Sequence, residues 1–262
     1  MKIRELTDYL ESIAPLHLQE SYDNAGLLTG KFEWEVTGVM TALDATEAVI
    51  DEAIEKGCNV VVSHHPIIFK GVKKVNGYHY IEKVIIKAIK SDIALYAIHT
   101  NLDNVLKDGV STEMCKRLNL SDVKILAVKD QSEPEIGLGA IGYLQSAMPA
   151  EDCLTYIKDK MNAQLIRHTA LLDKEIHKVA VCGGSGSSFL QHAIRQKADI
   201  YISSDFKYHE FFESNSEIII ADIGHYESEQ FTIELLFGLL KKKISNFALF
   251  CTSVTTNPIN YF

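Results

Sequence analysis

Asn59-Val60-Val61-Val62-Ser63-His64-His65-Pro66 runs from a solidly apolar strand straight into two histidines. Consecutive β-branched valines favour the pleated strand conformation. Without polar alternation, the run predicts a strand covered on both faces, as in parallel sheets. Pro66 has no N–H to donate, so a regular ladder stops at the histidines. On a continuing strand the two imidazoles would point to opposite faces, but at a broken strand end both can turn toward one site. Alone, the pair reads equally well as a surface or capping pair.

The neighbouring segments repeat this alternation. Val36 to Leu43 predicts a strand, and Thr46 is placed to cap a helix whose apolar face is Ala48, Val49, Ala53 and Ile54. Gly57 ends that helix. Such strand-helix-strand order implies a parallel sheet with helices on its faces. A helix near Tyr80 to Ser91, a strand from Ala94 to His99 and a helix from about Gly109 to Leu118 follow. Ahead of them, Ile3, Leu6, Tyr9, Leu10 and Ile13 mark a first helix that stops before Pro15.

The second half has the same plan. Strands are expected at Val179 to Cys182, Ile200 to Ser203 and Glu217 to Asp222, with a helix over Ser187 to Lys197. Residues 39–65 lie over 179–205 at a constant offset of 140, with Val39/Val179, Ala53/Ala193, Ile54/Ile194 and Ser63/Ser203 identical. The shared pattern, more than the identities, points to internal duplication. Polar Lys129 to Pro134 is the expected boundary. The domains expected are 1–128 plus 223–262, and 129–222. A last helix is expected from about His225 to Lys243.

Three strand ends carry metal-ligating chemistry. The first is the His64–His65 pair. The second is Ile98-His99-Thr100-Asn101-Leu102-Asp103, whose carboxylate emerges at the same sheet edge, where open parallel sheets bind ligands. In the third, Asp222-Ile223-Gly224-His225-Tyr226-Glu227-Ser228-Glu229, His225 and Glu229 are four apart and share one helix face. Each alone also reads as a turn former or a solvated pair. Together, imidazoles and carboxylates suit Zn, Mn, Fe, Co or Ni better than Ca or Mg. Five donors exceed one tetrahedral site and fall short of two closed ones, so two ions sharing a carboxylate would keep positions for water. Gly183-Gly184-Ser185-Gly186-Ser187-Ser188 is either a phosphate cradle or a tight strand-to-helix turn.

Ser21-Tyr22-Asp23-Asn24-Ala25-Gly26-Leu27, Ser63-His64-His65-Pro66, His99-Thr100-Asn101-Leu102-Asp103 and Gly224-His225-Tyr226-Glu227-Ser228-Glu229 resemble, in order, the signature segments of the YbgI/Nif-three-like family, also called GTP cyclohydrolase 1 type 2 homologues. The resemblance covers nearly the whole chain. It implies an α/β fold of two pseudo-symmetric α/β/α sandwich halves, a dinuclear metal centre and a homohexamer. The implied ligands are His64, His65, Asp103, His225 and Glu229. Ser203 to His209 also resembles a family segment, which makes Asp205 and His209 candidates for substrate binding. Ser204 stands where the family often has Gly, which leaves any close backbone approach there open. Longer members carry an inserted domain for which this spacing leaves no room.

Composition narrows the function. With 35 acidic and 26 basic residues the net charge is −9, which disfavours nucleic acid or an anionic membrane as main partner. Lys70, Lys73, Lys74 and Lys241 to Lys243 are the local exceptions, and solvated lysines are the commoner reading. No apolar run reaches membrane-helix length, and the N-terminus starts in a helix pattern, so a cytoplasmic protein is expected. Five scattered cysteines suit reduced, buried thiols. The leading reading is a metal-dependent hydrolase, with His99 relaying protons or orienting a ligand. Its substrate would be GTP, as the family name implies, or a phosphoester. The alternative is a metal-binding scaffold, adaptor or metal chaperone without turnover.

Overall fold

The computed structural model describes residues 1–243 and 247–262. Its strands in chain order are β1 (Gly26–Thr29), β2 (Gly38–Ala42), β3 (Val60–Ser63), β4 (Ala94–Ala97), β5 (Ser121–Val128) and β6 (Gly137–Pro149). They continue as β7 (Arg167–His168), β8 (Glu175–Ser185), β9 (Ile200–Ser204), β10 (Ile219–Asp222) and β11 (Ala248–Cys251). Contacts divide the chain into two compact units, 1–102 with 232–260, and 103–231 with 261–262.

The first unit holds a sheet in the order β1-β4-β3-β2-β11. β4, β3, β2 and β11 are parallel, and β1 closes one edge antiparallel to β4. On one face, the helices Glu47–Glu55 and Tyr80–Lys90 bury Val49, Ile50, Ala53, Val84 and Ala88 against Met40, Val61 and Leu95. Thr46 caps the first of these by accepting from Val49 N–H (3.3 Å). Side chains alternate along a strand, so Val39, Val60, Val62 and Tyr96 face the other side, and all four are fully buried. The helices Ile3–Ile13 and Thr232–Lys243 belong to this unit, and Tyr9 Oη donates to Leu239 O (2.9 Å).

The second unit holds a six-stranded sheet in the order β5-β6-β8-β9-β10-β7. Its parallel middle, β8-β9-β10, again has helices on both faces. Met114, Cys115, Cys153 and Ile157 pack on Val179, Val181, Ile200 and Ile202, while Leu190 and Ala193 pack on Ala180, Cys182 and Tyr201. Pairing reproduces the duplication in detail. Val39 pairs with Val60 and Met40 with Val61; 140 residues later Val179 pairs with Ile200 and Ala180 with Tyr201. β7, antiparallel to β10, repeats the place of β1 beside β4.

The expected boundaries fall elsewhere. Lys129 to Pro134 is the β5–β6 connection inside the second unit, closed by Lys129 N–H on Ile136 O (3.1 Å). β5 and β6 pair with each other, and β6 pairs with β8, so 103–128 belong to the second unit. The expected last helix is two helices, His225–Glu229 and Thr232–Lys243. The chain rejoins the first unit at 232 and not at 223, because Phe231 is buried in the second core, with Arg117 stacked on its ring (4.1 Å).

Candidate metal centre

In the first unit the site forms at the carboxyl ends of β2, β3 and β4. His64 N–H donates to Ala42 O (3.2 Å) and His65 N–H to Leu43 O (2.9 Å), so main-chain bonds hold the pair past the end of β3. Ser63 Oγ closes the turn on His65 O (2.8 Å). Beyond β4, Ile98 N–H reaches Ser63 O (3.0 Å), which sets His99 next to the pair. The three imidazole centroids are 5.0, 5.2 and 5.4 Å apart, and each ring offers a nitrogen within 4.8 Å of the others.

Each ring is oriented by an acceptor at Nδ1. His64 Nδ1 meets the Ile98 carbonyl (2.9 Å), His65 Nδ1 meets Asp44 Oδ1 (2.8 Å) and His99 Nδ1 meets Asp23 Oδ1 (2.7 Å). These oxygens only accept, so a neutral ring carries its proton on Nδ1 and its lone pair on Nε2. That is how metal-ligating histidines are commonly prepared. Asp23 has no exposed side-chain surface and also accepts from the Thr100 N–H (3.0 Å) and hydroxyl. Burial alone would raise its carboxyl, but the His99 and Thr100 hydrogen bonds outweigh burial and hold it at about 2.

The second unit builds its own cluster at the ends of β8, β9 and β10. His225 Nδ1 meets Asp205 Oδ2 (2.7 Å), and Nε2 lies 3.1 Å from Glu229 Oε2. Burial disfavours the charged imidazole, but Glu229 and Asp205 outweigh it and push His225 up to about 11. The two carboxylates thus favour the charged imidazole over the neutral one. Glu229 is buried, and Asp103 lies half-buried at the end of the short helix Thr100–Asp103. Burial, then the charge of Asp103 and more weakly that of Glu229, pushes the Cys182 thiol up to about 12, so it stays protonated among these carboxylates.

The glycine-rich segment makes room for Glu229. Gly184 has φ +60°, and a Cβ there would collide with Glu229 Oε1 and lie 3.3 Å from His225 Cε1. Ser228 Oγ accepts from Gly184 N–H (2.9 Å), and the Ser203 and Ser204 hydroxyls donate to Gly184 O (3.1 and 2.5 Å). Ser204 is buried, and its hydroxyl fixes this turn. Asp222 braces the same region by accepting from Arg167, from Phe206 N–H (3.0 Å) and from Gly224 N–H (3.2 Å). Asp205, expected at substrate, spends one oxygen on His225. His209 is exposed on the turn Tyr208–Ser214, beside Tyr208 and Phe212.

A profile of the Duf34/NIF3 (NGG1p interacting factor 3) family matches residues 1–258. The chain belongs to the Duf34/NIF3 family. Among its relatives, a Clostridium acetobutylicum protein named GTP cyclohydrolase 1 type 2 homolog is 38% identical over 230 residues, 87% of this chain and 85% of that one. A Campylobacter jejuni protein of the same name is 32% identical and aligned over the full length of both. The crystal structure of Staphylococcus aureus protein SA1388 superposes with a TM-score of 0.93 at 32% identity, covering 100% of this chain and 99% of that one. No helix among the described residues of this Duf34/NIF3 protein is long and apolar enough to cross a membrane.

The donor sets fit divalent transition metals: three oriented imidazoles in one unit, and an imidazole with carboxylates in the other. The anchors Asp23, Asp44 and Asp222 went unread as such in the sequence. Asp23 lies 76 residues from His99 and Asp44 lies 21 from His65, so no local spacing links them. The only signal was the family resemblance of the segment containing Asp23.

Proposed function

We propose that this Duf34/NIF3 protein is a cytoplasmic, metal-dependent hydrolase in which His64, His65, Asp103, His225 and Glu229 hold two divalent transition-metal ions. The observation that carries this reading is the shared preparation of His64, His65 and His225, each fixed at Nδ1 by an oxygen acceptor. Orienting rings this way is expected of ligands that present Nε2 to an ion. Bound there, such ions supply Lewis acidity and a water acidified toward neutral pH. His99 is proposed to act beside the ligands. With Nδ1–H held by Asp23, its Nε2 can take a proton from the attacking water and return it to the leaving group. The Asp23 carboxylate, held at about 2, stays ionised and stabilises the imidazolium that forms.

The relatives' names carry GTP, and a purine ring carbon or a phosphoester phosphorus would each serve as the electrophile. The test is turnover of a nucleotide and phosphoester panel by metal-reconstituted protein, with Asp103→Ala as control. Expected are about two ions per chain by elemental analysis, and loss of both metal and turnover in the variant with unchanged circular dichroism. No metal after reconstitution would overturn the reading. Turnover that persists in metal-free protein would do the same.

A further inference from the structure

Beside the histidine cluster of the first unit, two aromatic rings stand open to solvent. Phe69 is 41% exposed although its ring packs edge-on to His99, with centroids 6.0 Å apart. Tyr22 is 63% exposed and lies 6.1 Å from Phe69, tilted 54° to it. Burying large aromatic area is favourable, so two neighbouring exposed rings at the edge of a polar site are a surface kept for something else. The backbone under them is fixed. Asp23, next to Tyr22, is locked to His99 and Thr100, and Asn24 Nδ2 donates to Ile68 O (2.6 Å). The rings are therefore presented by braced segments on both sides.

Directly after Phe69 the chain turns basic. Lys70, Lys73, Lys74 and His79 line a groove of about 320 Å³ with Gly71, Val72, Ile81 and Glu82. The only acid there is committed elsewhere: Glu82 accepts the N–H groups of Asn76 (3.2 Å), Tyr78 (3.0 Å) and His79 (3.5 Å). Among the described residues no ion pair involves Lys70, Lys73 or Lys74. A second lysine-lined groove, at Lys83, Lys87 and Lys90, differs, because Lys87 is paired with Asp51 (2.6 Å) and Glu47 (3.9 Å). In a chain of net charge −9, three lysines within five residues, with no ion pair among the described residues, make a local positive patch.

We propose that Tyr22 and Phe69, together with the groove of Lys70, Lys73, Lys74 and His79, form the subsite for a nucleoside polyphosphate, its ring on the aromatic pair beside His99 and its phosphates on the lysines. This rests on the hydrolase reading above and narrows its substrate to a planar heterocycle carrying several negative charges. A stacking platform tolerates any base because every base has a π-face, so the pair sets the class and not the identity of the ring. The lysine contribution is electrostatic and weakens with salt.

Isothermal titration of the metal-loaded protein with GTP, guanosine and inorganic tripolyphosphate separates the two parts. Phe69→Leu keeps apolar bulk against His99 but removes the ring face. It should weaken GTP and guanosine about tenfold, within the range of one stacking contact, and leave tripolyphosphate unchanged. Phe69→Trp should restore GTP binding. Replacing Lys70, Lys73 and Lys74 together by Gln should weaken GTP and tripolyphosphate, flatten their salt dependence and spare guanosine. Equal GTP affinity in the parent and both classes of variant would overturn the subsite, as would a parent that binds no GTP. These are binding measurements, so they stand apart from turnover. A protein that binds GTP in this pattern but turns over nothing in the nucleotide and phosphoester panel keeps the subsite and loses the hydrolase reading.

Discussion

Nδ1 of His64, His65, His99 and His225 each meets an oxygen acceptor, and that single repeated choice gives the two clusters their chemical direction. Glycine does the complementary work by leaving space. At Gly184 any side chain would meet both strain, from φ +60°, and the Glu229 carboxylate. Gly184→Ala should therefore fold, since the clash is with a side chain at a strand end, yet displace Glu229 and bind metal at least tenfold more weakly. Metal titration beside circular dichroism checks this, and parental affinity would show that Glu229 does not need the space. His64, His65, His225 and Glu229 were legible as candidates because each sits in a short motif at a strand or helix end. Their orienting acceptors were not, since a hydrogen bond between residues 21 or 76 apart leaves no periodic trace.

The elements that were readable are those with a single environment along their length. β2, β3, β9 and β10 are buried at every residue, and the apolar runs announced them. β5 and β6 mix exposed and buried positions, with glycines at 137, 139 and 142, and gave no clean period of two. Duplication is clearest in register: Ile98 N–H on Ser63 O recurs as Ile223 N–H on Ser203 O, both 3.0 Å. Equivalent strand ends then carry His64 and His65 in one unit and Ser204 and Asp205 in the other, so one scaffold presents imidazoles and its copy presents oxygens. At the opposite edge, Asp199 ties β8 to β9 by accepting from His177 N–H (2.9 Å) and Lys178 N–H (2.8 Å), with Lys174 at 2.9 Å. Burial would raise this carboxyl, but those hydrogen bonds and Lys174 outweigh it and lower it below its ordinary 3.8. A depressed carboxyl contributes stability above its unfolded pKa and loses it as pH falls through the folded one. Asp199→Asn should thus cost about 1–2 kcal/mol at pH 7, the size of a lost charged hydrogen bond. The difference should narrow below about pH 4, as urea melts at both pH values would show.

For the molecule as a whole, the family resemblance implies a hexamer, and light scattering should give about six times the 29.3 kDa chain mass; a monomer at micromolar concentration would exclude it. The metal reading has its own global consequence. His225 is held near pKa 11 by Glu229 and Asp205, so without metal at neutral pH the second cluster retains a proton to balance its carboxylates. Exchanging that proton for a divalent ion would add charge where the fold has concentrated oxygen donors, and an ion held by the assembled cluster would favour the folded chain. Binding only the folded state stabilises by about 4 kcal/mol at a thousandfold excess over Kd. For a chain of this size that corresponds to a Tm higher by about 10 °C. Dialysis against a chelator should lower the melting temperature by roughly that amount. Far-ultraviolet circular dichroism should stay constant, because the clusters sit at strand ends and the two cores are complete without them. Returning Zn, Mn, Fe, Co or Ni should restore the Tm, with the tightest-binding ion giving the largest recovery at equal concentration. A chelator-treated protein that melts at the parental temperature, and does not respond to any of the five ions, would mean that these oriented histidines hold no metal in the folded chain.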